Sequence, residues 1–328
     1  MSRQRTRWGI LGTGMIAGVL ADAINQSERA DLVAVGSRQT DTAEAFAGPK
    51  GAPNAHGSYE GLLADPQVEI VYNSLPNSLH CEWTIKAAEA GKHILCEKPL
   101  AVTVDECDRM FVAAEANAVL LMEAFMYRCH PQAARLRELV AEGRIGDVRL
   151  IHSTFSFFIG DPKNVRLSNP LHGGGLMDVG CYCTDLSRYL ADAEPLAVFA
   201  AATFGAESGV DESLAGTLVF EGGLAAQFDV SLKSAGRASA EIVGSTGRIL
   251  VPSPWKPGDR ATVTVQDSSG TEEIEIAGAS PYVLQVDHFS RCVTEGEQPL
   301  LSRADSTGNT RTICALLESA RTGEVVEL

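Results

Sequence analysis

The sequence predicts two domains: an α/β domain on a doubly wound parallel sheet over residues 1–124, then an α+β domain over 125–328. The second is built on a large, mainly antiparallel open sheet. Three observations lead there. Between residues 7 and 126 short apolar runs alternate with helix-length amphipathic stretches. A glycine-rich turn stands at the first strand-to-helix junction. From about residue 145 β-like runs follow one another, joined by tight turns rather than helices.

In the first domain the expected strands are Arg7–Leu11, Leu32–Gly36, Ile70–Asn73, His93–Cys96 and Val119–Phe125, with helices near 15–26, 40–47, 78–90 and 104–116. Gly91 is placed as a helix C-cap, and Pro76 and Pro99 follow strand ends, where functional loops begin. In the second domain the strands expected are Val148–Phe158, Leu196–Thr203, Ser213–Phe220, Leu224–Leu232, Ala238–Val243, Arg248–Val251, Ala261–Gln266 and Thr271–Ile276. Gly222-Gly223 and Ser268-Ser269-Gly270 supply hairpin turns. Helices near 131–142, 178–190, 281–295 and 305–321 are expected to cover one face of that sheet.

With 328 residues, each domain can bury a proper core. The formal charge of −15 has no basic run beyond the alternating Arg3, Arg5 and Arg7. That argues against nucleic acid or an anionic membrane as partner. Trp8–Ala21 carries no charge, but the stretch is too short to span a bilayer, ends at Asp22 and lacks paired arginines, so a cleaved signal is not expected. The eight cysteines sit mostly in apolar runs and read as reduced thiols, which makes the cytoplasm the expected compartment.

Gly12-Thr13-Gly14-Met15-Ile16-Ala17 follows the first strand and opens a helix. This is G-x-G-x-x-A, a variant of the Rossmann dinucleotide fingerprint. Gly12 allows the tight turn, Gly14 lets a pyrophosphate approach the backbone, and Ala17 permits close helix–strand packing. The helix N-terminus then holds the phosphates. The second strand ends at Gly36-Ser37-Arg38, where an NAD enzyme usually carries an acid for the ribose 2′-OH. No acid is present. Ser37 can donate to a 2′-phosphate and Arg38 can pair with it or stack on adenine, so NADP is expected over NAD. An ordinary exposed arginine is the other reading of Arg38.

The strand His93–Cys96 runs into Glu97-Lys98-Pro99, which places Lys98 at a strand end, where parallel α/β sheets bind ligands. In the second half, Gly173-Gly174-Gly175 precedes a helix on which Asp178, Tyr182 and Asp185 recur at i, i+4 and i+7.

Together these motifs resemble the glucose–fructose oxidoreductase, inositol dehydrogenase and rhizopine-catabolism family, Gfo/Idh/MocA. The resemblance rests on G-x-G-x-x-A, on Ser74-Leu75-Pro76-Asn77 with His80, on Glu97-Lys98-Pro99 and on GGG-x-x-D-x-G, in order from residue 8 to 185. The β-rich tail extends it over nearly the whole chain. Many members have His four residues after the Asp, where this chain has Tyr182. That departure, with Glu123–Arg128 and His130-Pro131, resembles the branch of dimeric dihydrodiol dehydrogenase, NADP-dependent D-xylose dehydrogenases, glucose–fructose oxidoreductase and some sugar 3-ketoreductases.

The resemblance implies a cofactor site made of Gly12, Thr13, Gly14, Met15, Ile16, Ser37, Arg38, Ser74, Leu75, Asn77, His80, Glu97, Lys98 and Arg166. For His80 a helix-capping or core role is equally open. Phe155, Phe157 and Phe158 read as core or interface aromatics, with Phe158 also a candidate pocket wall. Hydride transfer from an alcohol needs a base for the hydroxyl proton and a cation to stabilise the alkoxide. Tyrosine has a pKa of ~10, so working near neutrality needs a shift of roughly 3 units, or about 4 kcal/mol. An ammonium ~4 Å away contributes about 4 kcal/mol at an effective dielectric near 20. Tyr182 is therefore assigned as general acid/base, Lys98 as its electrostatic partner and substrate-hydroxyl ligand, and Asp178 as a substrate-orienting acceptor. A packed helix tyrosine is the alternative for Tyr182.

The expected reaction is NADP-dependent oxidation of an aldose at C1, D-xylose first, or of a cyclic diol. Keto-sugar reduction is a close competitor, and a non-catalytic nucleotide-binding sensor, as among some family members, is the reading from another class. No metal is expected: Cys181-x-Cys183 has the wrong spacing for a zinc knuckle, and Cys96, Cys129 and His130 do not match zinc-ligand spacing. An open antiparallel sheet invites self-association, so a homodimer or tetramer is expected.

Overall fold

A computed structural model describes residues 5–328; Arg3 lies outside them. The chain forms two compact units, one running to Cys129 together with Ser280–Ser306, the other comprising His130–Ala279 and Thr307–Leu328.

The first unit alternates β1 (Thr6–Leu11), α1 (Met15–Gln26), β2 (Ala30–Gly36), α2 (Thr40–Lys50), β3 (Asn54–His56), α3 (Tyr59–Leu63), β4 (Ile70–Asn73), α4 (His80–Glu89), β5 (His93–Cys96), α5 (Val104–Ala116) and β6 (Leu121–Glu123). Its six strands are parallel in the order β3-β2-β1-β4-β5-β6. This is the doubly wound arrangement, reversing direction between β1 and β4, where the crevice for a ligand opens beyond the strands' carboxyl ends. Strands buried on both faces read as apolar runs, and Trp8, Ile10, Leu11, Ile70 and Val71 are fully enclosed. The short polar strand β3 and the single-turn α3 have no apolar period to betray them and were not anticipated.

In the second unit α6 (Pro131–Ala141) leads into β7 (Val148–Phe158). A loop and the helical segment ending in α7 (Cys181–Ala191) follow. Next come β8 (Ala197–Phe204), β9 (Asp211–Val219), β10 (Ala225–Ser231), β11 (Lys233–Gly244), β12 (Gly247–Val251), β13 (Arg260–Asp267) and β14 (Gly270–Ala277). The chain then forms α8 (Pro281–Glu295), α9 (Arg303–Thr322) and β15 (Val326–Glu327). Nine strands make one open sheet in the order β14-β13-β12-β11-β7-β10-β9-β8-β15, antiparallel except where β10 runs parallel to β7. On β7 to β10 the inward residues Ile151, Ser153, Leu214, Leu218, Phe228 and Val230 are buried, as the two-residue period of a one-sided sheet requires.

One expectation needs correction. Helix α8 does not help cover this sheet: it belongs to the first unit, packing on α1 and setting Phe289 edge-on to Trp8 of β1 at 6.0 Å. Amphipathicity fixes that a helix buries a face but not which sheet receives it. No helix among the described residues is long and apolar enough to cross a membrane. None of the eight cysteines, all among the described residues, forms a disulfide.

Candidate active site

The carboxyl ends of β1, β2, β4 and β5 bring most of the expected cofactor residues to one edge of the first sheet. After β1, Gly12 adopts φ +97°, a conformation that favours glycine, and its N–H donates to the Gly36 carbonyl. A side chain there would also come to 3.0 Å of Ser74 Oγ, which itself donates to the Leu11 carbonyl at 2.6 Å. Gly14 is the N-cap of α1 and supplies no side-chain cap; no acidic residue occupies the first turn, and the space beside its Cα is open. Thr13 and Ile16 are half-buried, Gly14 and Met15 are exposed, and Ala17 is fully enclosed against the sheet. A helix N-terminus with open N–H groups, no carboxylate of its own and a glycine beside open space fits a dinucleotide pyrophosphate.

At the end of β2, Ser37 is largely buried and Arg38 is exposed. Among the described residues no carboxylate pairs with Arg38; its charge is felt by Tyr59, whose hydroxyl burial otherwise pushes up. After β4, Leu75 is buried, Ser74 is half-buried, and Asn77 opens a single 3-10 turn ahead of α4.

His80 is fully buried, with Nδ1 at 2.9 Å from the Pro99 carbonyl and Nε2 at 2.8 Å from that of Leu75. It ties the loop after β4 to the loop after β5, and burial holds its pKa below the ordinary imidazole value despite the two carbonyls. Beyond β5, the Glu97 carboxylate accepts from the Tyr72 hydroxyl and, at 3.3 Å, from the Lys98 N–H. Lys98 is half-buried and precedes a cis peptide to Pro99. Tyr282, at the start of α8, lies within the field of both Glu97 and Lys98; burial, then Glu97, pushes its hydroxyl up to about 12. Sequence reading missed Tyr282, since its helix follows the β-rich half of the chain.

The second unit assembles Arg166, Asp178 and Tyr182. The Arg166 guanidinium donates from Nε to Asp178 Oδ2 at 2.7 Å and lies 6.0 Å over the Phe157 ring. The helix expected over 178–190 begins differently: Leu176–Gly180 forms a π turn, in which the Cys181 N–H reaches the Leu176 carbonyl, before α7 proper starts. Gly180 makes room for it, since a Cβ there would stand 2.6 Å from Leu176 Cδ1. Such turns are often found at functional sites. Tyr182 is 5% exposed, its ring centroid 5.6 Å from Phe155 and 5.7 Å from Trp255, while Phe155 and Trp255 stack on each other at 5.8 Å. Trp255 was missed, although a lone tryptophan between Pro254 and Pro257 was the available signal. Asp185 is buried one turn further along α7, and Phe158 is 67% exposed at the end of β7.

One His/Cys/Glu cluster stands apart from this machinery, within the first unit: His288, Cys292 and Glu297. His288 Nε2 already accepts the Leu300 N–H at 2.9 Å, Nδ1 faces Glu297 at 3.3 Å, and Arg291 neutralises Glu297 through two contacts of 2.9 and 3.0 Å. The Cys292 thiol is pushed up to about 11 by burial. A committed imidazole, a protonated thiol and a neutralised carboxylate make a hydrogen-bonded helix end. Cys96 and Cys129 are likewise held as thiols, Cys129 up to about 12, by burial.

Residues 6–125 match the model for the oxidoreductase family with an NAD-binding Rossmann fold, and residues 133–250 match the Gfo/Idh/MocA C-terminal domain. The chain belongs to the Gfo/Idh/MocA oxidoreductase family. It is an NAD(P)-dependent oxidoreductase of that family. It is 37% identical to a D-xylose 1-dehydrogenase (NADP(+)) of Haloferax volcanii, over 98% of this chain and 99% of that one. It is 32% identical to a trans-1,2-dihydrobenzene-1,2-diol dehydrogenase of Xenopus laevis, over 92% and 94%. Its fold matches that of a 3-ketoreductase from Actinomadura kijaniata in complex with NADP and TDP-benzene, with a TM-score of 0.92 and 27% identity over 96% and 98% of the two chains. That ketoreductase has also been crystallised with a lysine replaced by alanine or glutamate and with a tyrosine replaced by phenylalanine.

Proposed function

We propose that this protein is an NADP-dependent sugar dehydrogenase that oxidises an aldose at C1, a pentose such as D-xylose first, with Tyr182 as general acid/base. The observation that carries this reading is the setting of Tyr182. Its ring is enclosed by Phe155 and Trp255, on the helical segment that also presents Asp178 to Arg166. The name of the Haloferax relative supports the substrate class, and Ser37 with Arg38, which no described carboxylate pairs, supports the 2′-phosphate.

The nicotinamide of the bound cofactor would supply the chemistry, taking the hydride from the sugar carbon or returning it. Gly12–Ile16 would hold the pyrophosphate, Ser37 and Arg38 the 2′-phosphate, and the loops bearing Ser74, Leu75, Asn77, His80 and Glu97 would shape the rest of that site. In the oxidative direction the hydroxyl proton passes to the Tyr182 phenolate oxygen. Lys98 favours that anion and binds the same hydroxyl, lowering the cost of the developing alkoxide. Asp178 accepts from a neighbouring hydroxyl, and its pairing with Arg166 fixes which oxygen it offers. Phe158, exposed at the end of β7, supplies a wall for the sugar.

Keto-sugar reduction is the second reading, favoured by the 3-ketoreductase likeness. The same residues serve it, with Tyr182 donating the proton. The test follows reduced-nicotinamide absorbance with NADP+ or NAD+ against aldoses, inositols and cyclic diols, with Tyr182→Phe beside the wild type. Turnover on one sugar class that falls by at least about 100-fold in the variant supports the assignment. Turnover that survives in Tyr182→Phe overturns it.

A further inference from the structure

Asp211, the first residue of β9, is buried beneath the triple-glycine turn of the second unit. Its Oδ2 accepts the Leu176 N–H at 2.6 Å, and the Gly175 N–H also bonds to it. The glycines are cut to its shape. Gly174 has φ +118°, and a Cβ there would stand 2.1 Å from Asp211 Oδ1; one on Gly175 would stand 3.4 Å from Oδ2. From the other side the Arg166 carbonyl accepts the Gly174 N–H at 2.8 Å, and a Cβ on Gly173 would collide with that carbonyl at 2.3 Å. The turn is thus gripped between a carboxylate and a carbonyl, and the carbonyl belongs to the residue whose guanidinium pairs with Asp178.

We propose that Asp211 is the positioning residue of the catalytic segment: its carboxylate anchors the first N–H groups of the stretch 175–191 and so sets where Asp178 and Tyr182 stand. The proposal rests on the functional reading of those two residues given above. A helix start leaves its first N–H groups without intrahelical partners, and a carboxylate is their strongest side-chain acceptor. Here the carboxylate comes not from the N-cap position but from a strand 35 residues onward, so it locks the segment to the sheet as well as capping it. The π turn that follows lets the segment pivot if that lock is removed, because its bonds span five residues and are readily exchanged for α-helical ones. Asp211 touches neither substrate nor nucleotide in this scheme; it acts through Asp178 and Tyr182.

The experiment compares full-length wild type, Asp211→Ala, Asp211→Asn and Tyr182→Phe by three readouts: steady-state kinetics on the sugar that gives turnover, NADPH binding by fluorescence, and amide hydrogen exchange across 173–185. Asp211→Ala is expected to lose about 100-fold in kcat, the cost of misplacing a reacting group by about 1 Å. NADPH affinity should stay within about twofold, and exchange should quicken over 174–182 while β1 to β6 stay protected. Asp211→Asn, which keeps one acceptor oxygen, should fall between the two. A kcat within about threefold of wild type in Asp211→Ala, or deprotection spread uniformly over both units, overturns the proposal. If the alanine variant does not fold, local deprotection with intact NADPH binding in Asp211→Asn supports the proposal, and uniform deprotection overturns it. Full activity in Tyr182→Phe refutes the functional reading instead, and leaves the anchoring of 174–182 to be judged on exchange alone.

Discussion

At the end of β2, Ser37 and Arg38 offer a hydroxyl and a guanidinium that no described carboxylate pairs, where a carboxylate would repel a 2′-phosphate, so nucleotide choice should respond to this one arginine. A charge-assisted contact to phosphate contributes about 1.5–3 kcal/mol, so Arg38→Ala should lower kcat/KM for NADP+ by about 10- to 100-fold and leave that for NAD+ within about twofold. Initial rates at saturating sugar with each nucleotide decide it; an equal loss with both would remove Arg38 from the 2′-phosphate. The placement of Ser37, Arg38, Glu97 and Lys98 was legible in the sequence because it is local: each stands just past an apolar strand, and strand ends are where such sheets bind ligands. Tyr282 and Trp255 were not, since each acquires its place from residues far along the chain, Tyr282 from the loop after β5 and Trp255 from Phe155 and Tyr182.

The helical segment 176–191 depends on features that only become visible once β9 is placed. The three glycines could be read as a close-approach turn, but not what approaches, because Asp211 lies well downstream and resembles any polar residue at a strand start. The π turn was equally hidden, since Leu176–Gly180 followed by an apolar helix reads as continuous α-helix. By contrast β4, β5, β7 and α8 matched their expected bounds, because apolar period and flanking glycine or proline suffice to mark them. Two predictions belong to this element. Gly174→Ala meets both an unfavourable φ and the Asp211 carboxylate, so it should cost about 1–3 kcal/mol of second-unit stability from the backbone alone. It should also reduce kcat, while NADPH binding stays intact. The second concerns pH. Burial raises the Asp211 pKa from 3.8 to about 6, against the pull of the Leu176 and Gly175 N–H groups and the Arg321 charge. A raised acid holds its proton in the folded chain after the unfolded chain has released it. Its favourable contribution is therefore complete below about pH 4 and is lost as pH rises through about 6. Two units correspond to about 3 kcal/mol. Urea unfolding of wild type and Asp211→Asn at pH 4.5 and 7.5 should show the difference moving in favour of Asn by up to that amount; a difference independent of pH would mean that Asp211 titrates normally.

For the molecule as a whole, the open sheet of the second unit has two chemically different faces. Phe155, which borders Tyr182, shares the inward face with Ile151, Ser153, Phe228 and Leu218, so the helical segment bearing Tyr182 lies on that side. Strand alternation sends Phe199, Ala201, Ala215 and Val219 to the other side, where register sets Phe199 opposite Thr217 and Ala201 opposite Ala215. All four are exposed, Phe199 at 42% and Val219 at 43%. A contiguous apolar stretch on β8 and β9 is what a self-associating surface requires, and a two-fold interface would present the same patch from each copy. We therefore expect a homodimer, or a tetramer made of such dimers, that buries Phe199. Light scattering after gel filtration should give wild type at least twice the 34.8 kDa of the chain, and Phe199→Asp should shift it toward that mass by placing a charge at the centre of the patch. Because Phe199 points away from the face that carries Tyr182, the variant should retain NADPH binding and kcat within about threefold of wild type, the change that a surface substitution of under about 0.7 kcal/mol permits. An unchanged mass in Phe199→Asp would move the interface off this face, and a wild-type monomer would refute the association itself.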